Sequence, residues 1–387
     1  MKRVALLALL VLIVILVACG PRQAKVEKRI ENGVEVVLNH KEPYVIPGQP
    51  TRLVLEKELE ISTGNEELAK AGFTDMETFD VDSEGNIYII LWHVTGNHIY
   101  KFDKDGRLLV LFAQGGQGPG EIEWGGMVKV TSSGEIIAKD PSVRQLLFFS
   151  PEGRFLRQIQ LPRDLEIFAR FADGTYLTWM QNRTADLASY IDRFVLCGPE
   201  FKEEKEVFRL IRPASQPGQA RTVGEMAWVH ANSAVSIVIG DSREGYDLRV
   251  FSREGRPIRR IRKEFEPMPI TAEYKSDYLG RIPENAPWRN GLEFAKNWPP
   301  FQYAFADDAG HLFVMTREVG LKKGEFMYDI FNADGVFICR TSLGNSDGNY
   351  PRDAKVFRGR LYSIDVNDDG YKVLDVFRMR WEKAPAK

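Results

Sequence analysis

Asp80-Val81-Asp82-Ser83-Glu84-Gly85-Asn86-Ile87-Tyr88-Ile89 and, a little downstream, Tyr100-Lys101-Phe102-Asp103-Lys104-Asp105-Gly106-Arg107-Leu108-Leu109 are the two stretches that decide the fold. Each holds two apolar runs parted by a short polar segment closing on glycine. That is the composition of a β-hairpin, because a tight turn needs a residue free to take positive φ. The first pattern returns as Lys129-Val130-Thr131-Ser132-Ser133-Gly134-Glu135-Ile136-Ile137-Ala138, and again around Gly174, Gly310 and Gly359. The second returns around Gly153, Gly255 and Gly335. A worn copy without its glycine lies near Ala231 to Val238. The paired turn glycines stand 21 residues apart in the first copy, 19 in the second and 25 in the fifth.

Two hairpins per unit, repeated along the chain, make four antiparallel strands that cannot bury both faces alone and so stack radially. The expected fold is all-β, a six-bladed β-propeller. The sixth unit, Lys355 to Trp381, carries strands for only three positions. Its outer strand is expected from Arg52 to Ile61, which alternates apolar and charged residues with period two. Pairing the first and last strands would close the ring and remove an exposed edge. The expected layout is a signal peptide over 1–18, a lipidated tether and surface segment over 19–50, the propeller over 51–382, and a tail over 383–387.

The 387 residues are 44% hydrophobic and 27% charged, with a formal charge of −2, so the chain has ordinary globular composition and no basic footprint for nucleic acid. Lys2 and Arg3 precede an unbroken apolar run, Val4 to Ala18, which is shorter than the roughly 20 residues of a membrane-spanning helix. The run ends Leu16-Val17-Ala18-Cys19-Gly20, which resembles the lipobox of bacterial lipoproteins. That resemblance implies lipidation of Cys19, export, and a membrane held through the lipid as one partner. Gly20 after the cysteine resembles the outer-membrane sorting pattern, placing the protein on a periplasmic or outer-membrane face.

The chain as a whole is similar to the bacterial six-bladed β-propeller lipoproteins, relatives of the NHL-repeat propellers. The likeness spans about residues 33 to 381 and rests on Gly33-Val34-Glu35-Val36-Val37-Leu38-Asn39, on the repeated glycine turn, and on Gln117-Gly118-Pro119-Gly120-Glu121. It implies a fold and an exported address. It names no reaction.

Chemistry-bearing motifs are sparse. Cys197 and Cys339 each end an apolar run and read as buried strand cysteines in different sheets, with a bridge as the alternative. Five scattered histidines and no Cys-x-x-Cys give no zinc pattern. Gly115 to Glu121 lacks the Gly-Lys-Ser/Thr end of a phosphate loop and reads as a turn between blades, with Glu121 capping backbone amides. Asp365 to Gly370 reads as a hairpin turn.

If the glycine turns share one face of the disc, the variable connections emerge on the other, where binding on a rigid scaffold usually lives. Trp92, His93, Trp124, Arg144, Trp179, Arg183, Trp228, Arg243, Trp288, Trp298 and Arg317 fall in or beside those connections and are the candidate ligand-binding residues. Aromatic faces with arginines suit a glycan, a peptide or a partner protein. The proline-rich segment 263–303 is read as carrying a short helix near Ala272 to Gly280, and either as folding over the channel mouth or as a decorative loop. The preferred function is a monomeric, non-catalytic binding module without cofactor. The alternative is a propeller hydrolase or lyase with an axial divalent metal.

Overall fold

The computed structural model describes residues 26–385 apart from 132, 162–164, 172, 202–203, 214–220, 225–227, 233–235, 287–288, 323 and 345–353. Six four-stranded antiparallel units account for the repeats. The first blade is Thr78–Val81, Ile87–Ile90, Asn97–Phe102 and Leu108–Gln114, and the second Met127–Val130, Ile136–Asp140, Gln145–Phe149 and Phe155–Gln160. The third is Glu166–Arg170, Tyr176–Arg183, Ser189–Cys197 and Glu204–Pro213, and the fourth Trp228–Asn232, Ser236–Asp241, Asp247–Ser252 and Pro257–Lys263. The fifth is Tyr303–Ala306, Leu312–Val319, Glu325–Phe331 and Phe337–Gly344. The sixth is Ala354–Phe357, Arg360–Val366 and Lys372–Lys383, completed by Pro50–Ser62 from the amino-terminal side. Leu59 pairs Val376 and Leu53 pairs Trp381 across that seam, so the ring closes as the period-two pattern predicts.

The repeated turn has a side-chain cause. Asp82 Oδ1 accepts the N–H groups of Glu84 and Asn86, both at 2.9 Å, and Gly85 takes φ 91°. Asp103, Asp307, Asn332 and Asn367 do the same for the amides two and four residues on. An acceptor three positions before the glycine therefore holds the hairpin reversal, and the Asp/Asn-x-x-Gly spacing encodes it. Asp365 to Gly370 is one of these turns.

Apolar surface is buried mainly between blades. Tyr88, Ile90 and Ile99 of the first blade pack against Val128, Ile136, Ala138, Leu147 and Phe149 of the second. Ile61, Tyr362, Leu374 and Val376 of the sixth pack against Phe79, Ile87 and Ile89 of the first. Cys197 and Cys339 are both free and buried, in the third and fifth blades. Burial, and after it the charge of Asp329, pushes the Cys339 thiol up to about 12, which keeps it in the unreactive protonated form.

The segment expected to be a tether does more than cross the surface. Glu27–Glu31 and Val34–Asn39 form a hairpin, and the second of these strands adds in parallel to Pro257–Lys263, so the fourth sheet has six strands. Val36 and Val37 are fully buried there. The alternation of Val34-Glu35-Val36-Val37 is a strand signal that a tether has no use for.

Candidate functional site

The glycine turns at 85, 106, 134, 153, 174, 255, 310, 335 and 359 share one face, because each joins the first strand of a blade to the second or the third to the fourth, whereas the Gly370 turn joins the second strand of the sixth blade to the third and lies on the opposite face. On the opposite face two groups of the expected residues come together.

The first group is a small aromatic patch. Trp92 and Trp124 meet edge to face with centroids 5.0 Å apart, and the His93 ring lies 5.1 Å from Trp124. Gly125 makes this possible: its N–H donates to Trp92 O at 2.7 Å, and a Cβ at this position would stand 2.1 Å from Leu91 O. His93 Nδ1 lies 3.3 Å from Glu123 O. Nearby Glu121 Oε2 accepts Gly118 N–H at 2.8 Å, which makes Gly115 to Glu121 the self-capped turn its composition implies.

The second group gathers under the proline-rich insertion. Its helix is Ala272–Gly280, with Thr271 Oγ1 capping the Tyr274 N–H at 3.1 Å. The insertion is fastened down. Ile270 N–H donates to Lys296 O and Trp298 N–H to Met268 O, closing a stem, while Leu292–Phe294 pairs in parallel with Arg221–Val223 from the preceding long connection. Trp298 is held between the Tyr274 ring, 4.8 Å away, and the Arg317 guanidinium, 4.4 Å from its centroid. A cation over an indole is worth about 0.5–2 kcal/mol, so both side chains are oriented in advance of any ligand.

Beneath Trp298 lies a cavity of about 450 Å³ between the fourth and fifth blades, walled by Tyr246, Phe265, Pro299 and Pro300. Its floor is ionic. Asp329, fully buried, receives the Tyr246 hydroxyl at 2.9 Å and stands 3.4 Å from Lys263 Nζ and 2.8 Å from Arg340 Nε. Arg340 also pairs with Glu318 at 2.9 Å. Lys263 Nζ sits over the rings of Phe337 and Tyr246 at 4.7 and 5.3 Å. Burial, together with Asp329, drives the Tyr246 hydroxyl far above its ordinary range, so it remains a donor. Burial opposes the Arg340 charge, but Glu318 and Asp329 outweigh it and hold the guanidinium cationic. Lys263, Asp329, Arg340 and Tyr246 were not among the expected residues. The available signal was Asp329 itself, a carboxylate set inside the apolar run Tyr328-Asp329-Ile330-Phe331, where an inward-facing charge needs partners.

The remaining candidates are scattered. Trp179 lies within a strand and packs with Phe171, Phe194 and Phe251 between the third and fourth blades. Arg183 stacks on Tyr190 across the same hairpin and donates to its hydroxyl at 2.8 Å. Residues 179–190 are mostly a continuation of those two strands around a short turn. Arg243 is engaged by Asp241 and by Ile211 O, the latter at 2.6 Å. Arg144 is exposed at positive φ, 53°, in a turn where its carbonyl accepts Leu161 N–H at 2.9 Å. The Trp228 backbone belongs to the inner strand of the fourth blade. Its side chain, Trp288 and Cys19 lie outside the described residues.

A larger cavity, about 780 Å³, runs along the inner strands on the propeller axis. The unpaired edges of these strands are closed by side chains from neighbouring blades. Asp80 Oδ2 accepts Val130 N–H at 2.7 Å and Tyr303 OH accepts Ala354 N–H at 3.1 Å. Lys355 pairs with Asp80 Oδ1. Among the described residues no three His, Cys, Asp or Glu side chains form a set that could hold a metal ion.

No family model and no curated protein matches the sequence. Solved structures do. A protein of Bacteroides fragilis described as exported shares 13% identity at a TM-score of 0.51, over 90% of this chain and all of that one (100%). A member of the DUF4221 family from Bacteroides vulgatus shares 14% identity at 0.49, over 86% of this chain and 100% of its own. A virginiamycin B lyase from Staphylococcus aureus shares 10% at 0.35, over 86% and 89%. At such identities the first of these likenesses concerns the fold alone. No helix among the described residues is long and apolar enough to cross a membrane.

Proposed function

We propose that this chain is an exported, lipid-anchored binding module whose ligand, a peptide, seats in the cavity between the fourth and fifth blades under the proline-rich insertion. One observation carries the reading: a cavity walled in part by Tyr246, Phe265, Pro299 and Pro300, with Trp298 pre-oriented at its mouth, ends on buried Lys263 and Asp329 and half-buried Arg340. Concave sites that bind organic ligands combine apolar walls with a few placed polar groups in this way. A peptide offers an apolar side chain for the slot and charged or amide groups for its floor. The insertion is tied at its stem and by the parallel strand pair, so the slot exists before the ligand arrives and little ordering entropy is lost on binding.

Export and anchoring rest on the apolar run Val4 to Ala18 and the lipobox-like residues up to Cys19. The bacterial envelope is the setting these imply.

The test is a combined peptide and glycan array probed with the full-length protein in detergent. Retained peptides, lost with Trp298→Ala or Arg317→Ala and kept with Trp124→Ala, are expected. Retention of glycans alone, dependent on Trp124 and indifferent to Trp298, would move the site to the aromatic patch and overturn this reading.

A further inference from the structure

The most exposed large apolar side chains among the described residues sit two positions apart on one hairpin tip. Leu321 is 86% exposed and Val319 74%, at the reversal from Leu312–Val319 to Glu325–Phe331 in the fifth blade. That reversal joins the second strand of the blade to the third, so it projects on the face of the variable connections. Single exposed apolar residues are ordinary on a surface, but the residues that make a turn are ordinarily polar or glycine. This one reads Val319-Gly320-Leu321-Lys322-Lys323-Gly324.

The tip is held rigid. Leu321 N–H donates to Ser342 Oγ at 2.8 Å, Gly320 N–H to Glu325 O at 2.7 Å and Lys322 N–H to Glu325 Oε2 at 3.2 Å, while the Ser342 hydroxyl donates to the same carboxylate oxygen. A Cβ on Gly320 would stand 2.2 Å from Ser342 Oγ, so glycine lets the tip lie this close to the next strand. Backbone polarity is thus satisfied inside the hairpin while two apolar side chains stand out in water. The carboxylates nearest the tip are turned inward, Glu325 onto Ser342 and Glu318 onto Arg340 at 2.9 Å, and Lys322 is exposed beside Leu321.

What this prong meets follows from where the chain enters the domain. Val26 packs on the apolar cluster shared by the fifth and sixth blades, which extends to Leu343 and to Phe326, the residue paired with Val319. Cys19 stands only seven positions before Val26. An extended chain covers at most about 3.6 Å per residue, so a lipid on Cys19 is held within about 25 Å of that cluster. The fifth and sixth blades are then the sector kept at the membrane. Tyr274 in the insertion before the fifth blade and Tyr371 in the turn of the sixth are both exposed on the same face, and tyrosine favours the headgroup level of a bilayer.

We infer that the 319–321 tip is a membrane contact, which seats its two apolar side chains at the headgroup boundary of a bilayer containing anionic phospholipid, with Lys322 against the lipid phosphates. Apolar burial and lysine attraction act together at such a surface. The inference rests on the lipid-anchored reading and is independent of the peptide: the anchor holds the disc near the bilayer, and the tip sets which sector faces it.

Fluorescence of the full-length protein in vesicles tests it. Leu321→Cys is labelled with an environment-sensitive nitrobenzoxadiazole probe; Cys197 and Cys339 are buried, and the parent chain labelled alike gives the background. The vesicles hold phosphatidylcholine and phosphatidylglycerol, with a nitroxide on the acyl chain close to the headgroup. On protein that floats with the vesicles, the 321 probe should be blue-shifted and quenched at least about twofold more than a probe on Leu156→Cys, on the glycine-turn face. Adding Val319→Asp should abolish that difference without releasing the protein, and thermal melts establish that these variants are folded. Floated protein with an unquenched 321 probe, or quenching untouched by Val319→Asp, would overturn the inference. A blue shift without lipid quenching would do the same and assign the tip to a protein neighbour such as a second copy. Protein that fails to float would instead remove the anchor, and this inference with it.

Discussion

Asn39 and Phe337, 298 positions apart, are joined by a hydrogen bond from the Phe337 N–H to Asn39 Oδ1 at 2.8 Å. The same amide donates through Nδ2 to Gly335 O at 3.0 Å and to Arg262 O at 3.2 Å. One buried side chain at the end of the amino-terminal hairpin thus ties the fourth blade to the fifth, the two blades that enclose the cavity beneath Trp298. Replacing it with Ala strands three backbone groups, and each unsatisfied buried group costs about 1–3 kcal/mol. Asn39→Ala should lower stability by about 3 kcal/mol or more in urea titrations. A loss under about 0.5 kcal/mol would show that water satisfies those groups.

The two amino-terminal additions differ in what they close. Residues 27–39 extend a sheet that already has four strands, whereas Pro50–Ser62 supplies the fourth strand of the last blade. Removing 26–39 should lower the melting temperature and leave a cooperative transition. Removing 26–62 should abolish it. Calorimetry of both deletions distinguishes these outcomes.

Gly125→Ala places a methyl carbon against the Leu91 carbonyl, a backbone atom that cannot swing aside. Overpacking of this kind costs about 1–3 kcal/mol. The Trp92–Trp124 pair should be disturbed at the same time, visible as a change in tryptophan fluorescence.

His98 is fully buried, with Nδ1 donating to Leu91 O at 3.0 Å. Burial holds its pKa below the ordinary histidine value of 6.5. A base depressed in the folded state contributes stability that is complete above the unfolded pKa and is lost as pH falls through the folded one. Denaturation midpoints should therefore drop from pH 7 downward, and His98→Gln, which still donates to Leu91 O, should show a shallower drop. An identical slope in the variant would exclude this origin.

Much of the architecture was legible because one physical device is spelled out again and again: an Asx or hydroxyl acceptor, two polar residues and glycine, between runs that bury against the next blade. Blade count, ring closure and the helix over Ala272–Gly280 follow from such local signals. The hairpin at Glu27–Asn39 was missed because a parallel addition to a distant sheet leaves no mark beyond a short alternating run. The slot was half seen. Trp298 and Arg317 stood out as large residues in connections, but Lys263, Asp329 and Arg340 lie on strands, where a charge normally points to solvent. Only packing of two blades reveals that these converge. Trp179 shows the reverse effect: a large residue near a variable stretch that packs between blades.

Labelling with radioactive palmitate tests the anchor. The wild type should incorporate label and Cys19→Ser should not. Equal incorporation would remove the lipid from the proposal and leave the two cavities unaffected.

The ring and both cavities depend on the seam between Pro50–Ser62 and Lys372–Lys383, so hydrogen exchange of full-length protein, read by mass spectrometry, is the most direct measurement. Amides of residues 53–61 should be protected as strongly as those of 373–381 and be lost with them in one cooperative event. Exchange of 53–61 within seconds, while 373–381 stays protected, would contradict a ring sewn by its amino-terminal strand.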